Sequence, residues 1–172
     1  FLDIKEGKKA FLFALFGRPI EKCYNKETMP KIKKLLDEYA LSHQNPTNIL
    51  IHKIFVPLIV FSLIGLLLAI PEISGLKPVY LVVFLVGIYY WLLSKKYFLI
   101  AFPAILSMLG LNIFIMQYIN IFYFSFVVFI ISWILQFYGH KIEGRSPSFL
   151  KDLQFLLIGP LWVLKSLFKI KD

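Results

Sequence analysis

The sequence predicts an all-α integral membrane bundle of four transmembrane helices, flanked by an N-terminal amphipathic helix and a C-terminal interfacial or re-entrant segment. Of the 172 residues, 59% are hydrophobic and 17% are charged, whereas about a quarter of the residues of an average soluble domain are charged. Phe alone contributes 18 residues, against 10 Asp and Glu together. A soluble domain of this length could not bury so much apolar surface, and a disordered chain would be poor in aromatic and aliphatic residues. The composition therefore favours a membrane protein of one domain.

Four apolar stretches come close to the roughly 20 residues that a helix needs to cross about 30 Å of hydrocarbon. They are residues 49–70, 78–93, 97–116 and 120–138. Pro71 ends the first stretch, and Pro78 suits the first turn of the second helix. The connections between the stretches are short, so consecutive helices should pack as antiparallel neighbours.

Two further segments lie beside these spans. Between residues 31 and 41, Ile32, Leu36 and Tyr39 recur at helical spacing, which predicts a short amphipathic helix on the membrane surface. The apolar run of residues 153–164 has only 12 residues. That length is typical of an interfacial or re-entrant segment rather than of a span.

The first 28 residues differ from the rest of the chain, because a basic start is followed by a short apolar run. We interpret residues 1–28 as a leader of uncertain status, with Met29 as a candidate natural start, and predict a single membrane domain over residues 29–172. The single cysteine, Cys23, falls in this leader. One cysteine excludes an intrachain disulfide framework and any cysteine-based metal cluster.

The basic residues are distributed unevenly around the predicted spans. The formal net charge is +9, from 19 Lys and Arg. If four spans are present, Lys77 is the single basic residue near the spans on one side of the membrane, and the others lie on the side that carries both termini. The positive-inside rule then places both termini in the cytoplasm. The bacterial cytoplasmic membrane is the favoured location, and the endoplasmic reticulum membrane is the alternative. Since topology accounts for the charge, we expect no nucleic-acid partner.

Three histidines fall at the same, cytoplasmic, membrane face in this topology. His43 precedes the first span, His52 lies in its first turns, and His140 follows the fourth span. Neutral imidazole is the commonest metal ligand among side chains. The dipeptide Asn45-Pro46 is typical of an N-cap followed by proline at the first helical position, and a break there lets His43 fold back toward His52. A histidine at a helix end is also commonly solvated, so spacing alone indicates a possible metal site and no more.

Three polar residues share helix faces with these histidines. Asn48 precedes His52 by four residues, and Gln136 precedes His140 by four, so each pair lies on one face. Glu143 follows His140 by three residues, and such a spacing of histidine and glutamate is a known metal-ligand arrangement on helices. Because Glu143 has basic neighbours in the sequence, an exposed ion pair is the alternative.

Two stretches resemble the signatures of the membrane-embedded 2-hydroxy-fatty-acid dioxygenase family. The first runs from His43 to His52 (HQNPTNILIH) and is followed by Pro57. The second lies within residues 133–160 and contains QFYGH at residues 136–140. The resemblance covers residues 36–164, with the two motifs in order and the hydrophobic spans between or around them.

The resemblance implies a bacterial-type, Fe(II)-dependent enzyme of fatty-acid α-oxidation. Such an enzyme uses O2 to shorten a 2-hydroxy long-chain fatty acid by one carbon and releases CO2. The family's essential histidines correspond to His43, His52 and His140, as catalytic residues and metal ligands. Glu143 lies one residue nearer the histidine than the glutamate of the eukaryotic branch, so its role as a further ligand stays open. The residues expected to orient the ligands or to bind the substrate carboxylate are Asn48, Gln136 and Arg145.

Other classes of function are less favoured. Membrane desaturases and hydroxylases with histidine boxes bind two irons through about eight histidines, whereas this chain has three, so a di-iron site is not expected. A transporter would place charged residues deep in a span along its pathway, and no predicted span of this sequence has a charged residue deep within it. The remaining alternative is a small non-catalytic membrane scaffold or lipid-binding protein, in which the histidines bind no metal. The sequence does not indicate an oligomeric state.

Overall fold

Six α-helices make up the regular structure that this computed structural model describes. The described residues are 31–41, 43–144 and 149–168, without the side chains of residues 31 and 149–156. In chain order the helices are α1 (Lys31–Leu41), α2 (Pro46–Ala69), α3 (Pro78–Leu93), α4 (Lys95–Ile115), α5 (Ile121–Glu143) and α6 (Phe149–Leu167). The predicted leader, Cys23 and Arg145 lie outside the described residues. Within the described residues the all-α prediction is confirmed.

The start of α2 follows the predicted capping pattern. The Asn45 side chain accepts a hydrogen bond from the backbone N–H of Thr47 at 2.9 Å, and Pro46 occupies the first turn. Asparagine at this position satisfies an amide that has no partner within the helix, and proline there has no N–H to satisfy. The helix therefore begins at residue 46, three residues before the predicted span, and His43 stands on a separate segment.

Helix α5 extends further than the predicted span. It begins after Asn120, whose side chain accepts hydrogen bonds from the N–H groups of Phe122 and Tyr123. It ends before Gly144, which has a φ of 70°, a left-handed conformation that glycine adopts without steric cost. The predicted span ended at residue 138. Because the helix continues to Glu143, both His140 and Glu143 lie on its last turns.

Three of the helices are long and apolar enough to cross a membrane, namely α2, α4 and α5. Helix α3 is apolar but has 16 residues, so a fourth span stays a prediction. The C-terminal apolar run is part of a 19-residue helix that includes Gly159-Pro160, rather than an isolated segment of 12 residues. Ile158 and Leu161 of this helix are fully buried, so α6 packs into the bundle.

Small side chains allow α2 and α5 to pack closely. A Cβ atom on Gly65 would collide with the Ser125 side chain, and a Cβ atom on Gly139 would collide with Asn48 Oδ1. Such small residues let helix backbones approach each other. The two helices are in contact near both ends of α2, and the N-terminal end of α2 lies beside the C-terminal end of α5.

Helix α1 buries the face that the sequence predicts to be apolar. Ile32, Leu36 and Tyr39 are all buried, and they belong to one apolar core with Ile158 and Leu161 of α6. The amphipathic helix is therefore confirmed, and its apolar face packs against protein. This packing places the end of α1, and with it His43, beside α2.

Candidate metal centre

The three histidines of the chain come together where α1, α2 and α5 meet. One nitrogen from each of His43, His52 and His140 lies within 4.8 Å of the other two. The ring centroids of His43 and His52 are 4.1 Å apart, and the His140 ring is 5.0 Å from that of His52 and 5.7 Å from that of His43. His43 and His52 are buried, and His140 is half-buried. This cluster can hold one metal ion.

Backbone carbonyls fix the orientation of two of the rings. His43 Nδ1 donates to the carbonyl of Tyr39 at 2.7 Å, and His52 Nδ1 donates to the carbonyl of Asn48 at 2.9 Å. A carbonyl only accepts, so each Nδ1 carries the proton and each Nε2 keeps its lone pair. Histidines that bind metals typically donate their other ring nitrogen in this way.

The donor set fits a transition metal. Imidazole suits zinc, copper, iron and nickel. Three protein ligands also leave coordination positions open for substrate, as catalytic metal sites do. The donor set therefore fits a catalytic metal but does not by itself select one.

Glu143 contacts the segment that carries His43. Its Oε1 accepts from the N–H groups of Gln44 at 2.8 Å and Asn45 at 3.2 Å, and its Oε2 accepts from Asn45 N at 3.0 Å and Asn48 Nδ2 at 3.0 Å. A carboxylate at the N-terminal end of α2 also interacts favourably with the helix dipole. Glu143 is not among the three clustered ligands. Its hydrogen bonds join the end of α5 to the start of α2.

Asn48 and Gln136 each lie one helical turn before a histidine of the cluster, and their side chains have different surroundings. The backbone carbonyl of Asn48 orients His52, while its fully buried side chain binds Glu143 and packs against Gly139. Gln136 is buried one turn before His140, and within the described residues its Nε2 has no hydrogen-bond partner. Arg145, the expected carboxylate-binding residue, is outside the described residues.

Two aromatic residues at the cluster were not identified from the sequence. The Tyr39 ring stacks on His43, with centroids 4.2 Å apart and planes at 16°. The Trp162 ring lies 5.3 Å from Tyr39 and 5.8 Å from His43. Tyr39 precedes His43 by four residues, and this spacing on the predicted amphipathic helix could have indicated the contact. For Trp162 the sequence offers no such local signal, because α6 is distant along the chain.

The fold and the cluster together define a helical protein with long apolar helices and a candidate metal centre where the start of α2, the end of α5 and the connection before α2 meet. Residues 29–170 match the family described as Mpo1-like, 2-hydroxy-palmitic acid dioxygenase. The chain is 32% identical over 147 residues to the 2-hydroxy-palmitic acid dioxygenase MPO1 of Saccharomyces cerevisiae, covering 84% of each protein. No solved structure matches the chain.

The chain therefore belongs to the Mpo1-like family, which confirms the resemblance noted from the two motifs. The matched region includes all three histidines, Glu143 and every helix that the structure describes.

Proposed function

We propose that the chain is an Fe(II)-dependent dioxygenase that shortens 2-hydroxy long-chain fatty acids by one carbon. R–CH(OH)–COOH and O2 become R–COOH, CO2 and H2O. The C1–C2 bond breaks, C2 is oxidised to a carboxyl group, C1 leaves as CO2, and O2 takes up the four electrons. The name of the yeast relative supports the substrate class. The observation that carries the proposal is the meeting of three histidines that come from α2, from α5 and from the connection between α1 and α2.

His43, His52 and His140 would hold the metal. When bound there, iron would supply the redox chemistry with O2 and open positions for the hydroxyl and carboxylate of the substrate. Zinc would fit the same imidazoles but has no redox chemistry, so membership of a dioxygenase family favours iron.

The surrounding residues would keep this site rigid and partly dry. The carbonyls of Tyr39 and Asn48 hold two imidazoles in the tautomer that a metal ligand needs. The rings of Tyr39 and Trp162 cover His43 on one side. Glu143 would act by holding the segment around His43 in place, and Gln136 Nε2 is a buried donor that a bound oxygen ligand could satisfy.

In the proposed arrangement the bundle lies in a bilayer with the histidines at its cytoplasmic face. The apolar surfaces of α2, α4 and α5 support association with lipid. The cytoplasmic side follows from the distribution of basic residues under the positive-inside rule. The source membrane is proposed to be the bacterial cytoplasmic membrane, with the endoplasmic reticulum as the alternative.

The first test is the metal content of the detergent-purified protein by mass spectrometry. We expect about one iron per chain in the wild type, as for a mononuclear oxygenase, and a loss of iron in His52→Ala. Gln117→Ala changes an exposed polar residue in the connection between α4 and α5 and serves as the matched control, which should keep its iron.

The second test is turnover of 2-hydroxypalmitate labelled at its carboxyl carbon. Under air we expect unlabelled pentadecanoic acid together with labelled CO2, and neither product without O2 or with His52→Ala. A protein that binds no metal after anaerobic reconstitution with Fe(II), and forms neither product, would instead be the non-catalytic membrane scaffold or lipid-binding protein.

A further inference from the structure

An apolar cavity of about 250 Å³ lies among four helices, and no histidine is among the described residues that line it. Residues that line it are Val60 and Leu67 of α2, Val86 of α3, Ile105 of α4 and Pro160 of α6. Tyr90 also lines it, but its hydroxyl group donates to the carbonyl of Leu157 at 2.8 Å. The cavity lining is therefore almost wholly hydrocarbon.

We infer that this cavity binds the distal part of the alkyl chain of the 2-hydroxy acid and thereby sets the preferred chain length. The inference rests on the proposed function, because it takes the histidine cluster as the position of the acid's head. The cavity lining is then the surface that recognises the tail of the acid.

The cavity and the histidine cluster share two helices. On α2, Val56 and Val60 follow His52 at intervals of four residues, which keeps them on one side of the helix. Val56 is buried and Val60 lines the cavity. On α6, the Trp162 ring lies 5.8 Å from the His43 ring, and Pro160 lines the cavity. A tail that leaves the cluster along this side of α2 would pass Val56, which lies against Gly159 of α6, before it enters the cavity.

The distances along α2 match a long acyl chain. At 1.5 Å per residue, Val60 lies about 12 Å and Leu67 about 22 Å beyond His52 along the helix axis. An extended chain of tetrahedral carbons advances about 1.2 Å per bond, as the reach of an extended backbone implies. With C2 beside the histidines, a 16-carbon acid then extends about 17 Å, which is well inside the cavity.

This geometry predicts two limits on chain length. Acids shorter than about 12 carbons do not reach Val60, and acids longer than about 20 carbons extend past Leu67. Lipid or detergent solvates an alkyl chain as well as the protein does, so removal from water does not favour long chains here. The preference must therefore come from fit, which produces a maximum and not a steady rise with length.

Two cavity-filling variants test these limits separately. Val60→Phe fills the end near the histidines and should lower kcat/KM for the 16-carbon acid at least about tenfold, the typical effect of overpacking, while a 10-carbon acid is unaffected. Leu67→Phe fills the far end and should lower kcat/KM for acids of 18 to 20 carbons more than for 14 carbons. Val127→Phe makes the same change on an exposed position of α5 and should leave the profile unchanged. If the dependence of kcat/KM on chain length changes equally in all three variants, or in none of them, the inference is overturned.

A binding experiment on the wild type separates this inference from the proposed reaction. A 2-hydroxy acid with a diazirine at its terminal carbon is photolysed with the full chain under anaerobic conditions, and the labelled peptides are mapped by mass spectrometry. Labelling of residues that line the cavity, reduced by excess 2-hydroxypalmitate, supports the inference even if no turnover occurs. Labelling confined to exposed faces of α5, or equal labelling by a diazirine phospholipid that 2-hydroxypalmitate does not displace, refutes it.

Discussion

Replacing Glu143 with glutamine tests whether this residue positions the metal site or binds the metal itself. In the structure the carboxylate accepts hydrogen bonds from Gln44 N, Asn45 N and Asn48 Nδ2, at 2.8 to 3.2 Å. The amide of Glu143→Gln keeps one acceptor oxygen but presents an NH2 group in place of the other. That NH2 group would face the N–H donors of Asn45 and Asn48. Because two donors cannot form a hydrogen bond with each other, the two hydrogen bonds that Oε2 accepts are lost.

The size of the effect follows from these contacts. Hydrogen bonds to a charged group contribute about 1.5–3 kcal/mol when buried. Because Glu143 is half-exposed, we discount each bond to about 1 kcal/mol for solvent screening. Two lost bonds then amount to about 2 kcal/mol, or about 30-fold in an equilibrium constant. Without these bonds, the segment that carries His43 can leave its metal-binding conformation in the metal-free protein. The affinity for metal then decreases by up to that factor, because only the fraction in the binding conformation takes up metal.

The assay is anaerobic titration with Fe(II) in competition with a coloured chelator, in detergent. Glu72→Gln removes an exposed acid in the connection between α2 and α3 and is the matched control, for which we expect wild-type affinity. Affinity of Glu143→Gln equal to that of the wild type would refute the positioning role. Complete loss of binding together with a folded chain would indicate that Glu143 is a ligand, which would also refute it.

Three further changes have definite expected outcomes. Gly139→Ala places a methyl group against Asn48 Oδ1 and should destabilise the fold by about 1–3 kcal/mol, as measured by thermal unfolding in detergent. The control is Gly110→Ala, whose added Cβ atom would point into open space and should leave the stability unchanged. Asn120→Ala removes the cap of α5 and should cost about 1 kcal/mol, and an unchanged melting temperature would contradict that role. Saturation with Fe(II) at about 100 times its Kd should stabilise the wild type by about 2.7 kcal/mol and leave His52→Ala unaffected, whereas equal stabilisation of both would place the metal elsewhere.

The helices and the histidine cluster follow from local features of the sequence. Apolar stretches of sufficient length predict α2, α4 and α5, and the Asn45-Pro46 pair predicts the start of α2 and the separate segment of His43. The cluster then follows from topology, since an even number of antiparallel helices between His52 and His140 returns the chain to the same end. These are properties of hydropathy and capping, which act over a few residues.

The contacts between helices that are far apart in sequence could not be predicted in this way. The 12-residue apolar run of the C-terminal region predicts an interfacial or re-entrant segment, but hydropathy does not show that the helix of α6 begins before this run, at Phe149. The position of Trp162 beside His43 depends on how α6 packs against α1, and the single sequence carries no signal for that packing. The sequence does not indicate the partners of Glu143 for the same reason, because they lie about a hundred residues earlier in the chain.

Asn48 accounts physically for the joint presence of the two motifs. Its backbone carbonyl orients His52, its side-chain amide donates to Glu143, and its side chain fits where Gly139 has no Cβ atom. A larger residue at position 139 would displace the side chain that holds Glu143, and loss of Glu143 would release the amides of the segment that carries His43. The first motif therefore depends on a glycine and an acid of the second. This interface between α2 and α5 brings His140 beside His52, so substitutions at the interface should reduce metal binding even where no ligand is changed.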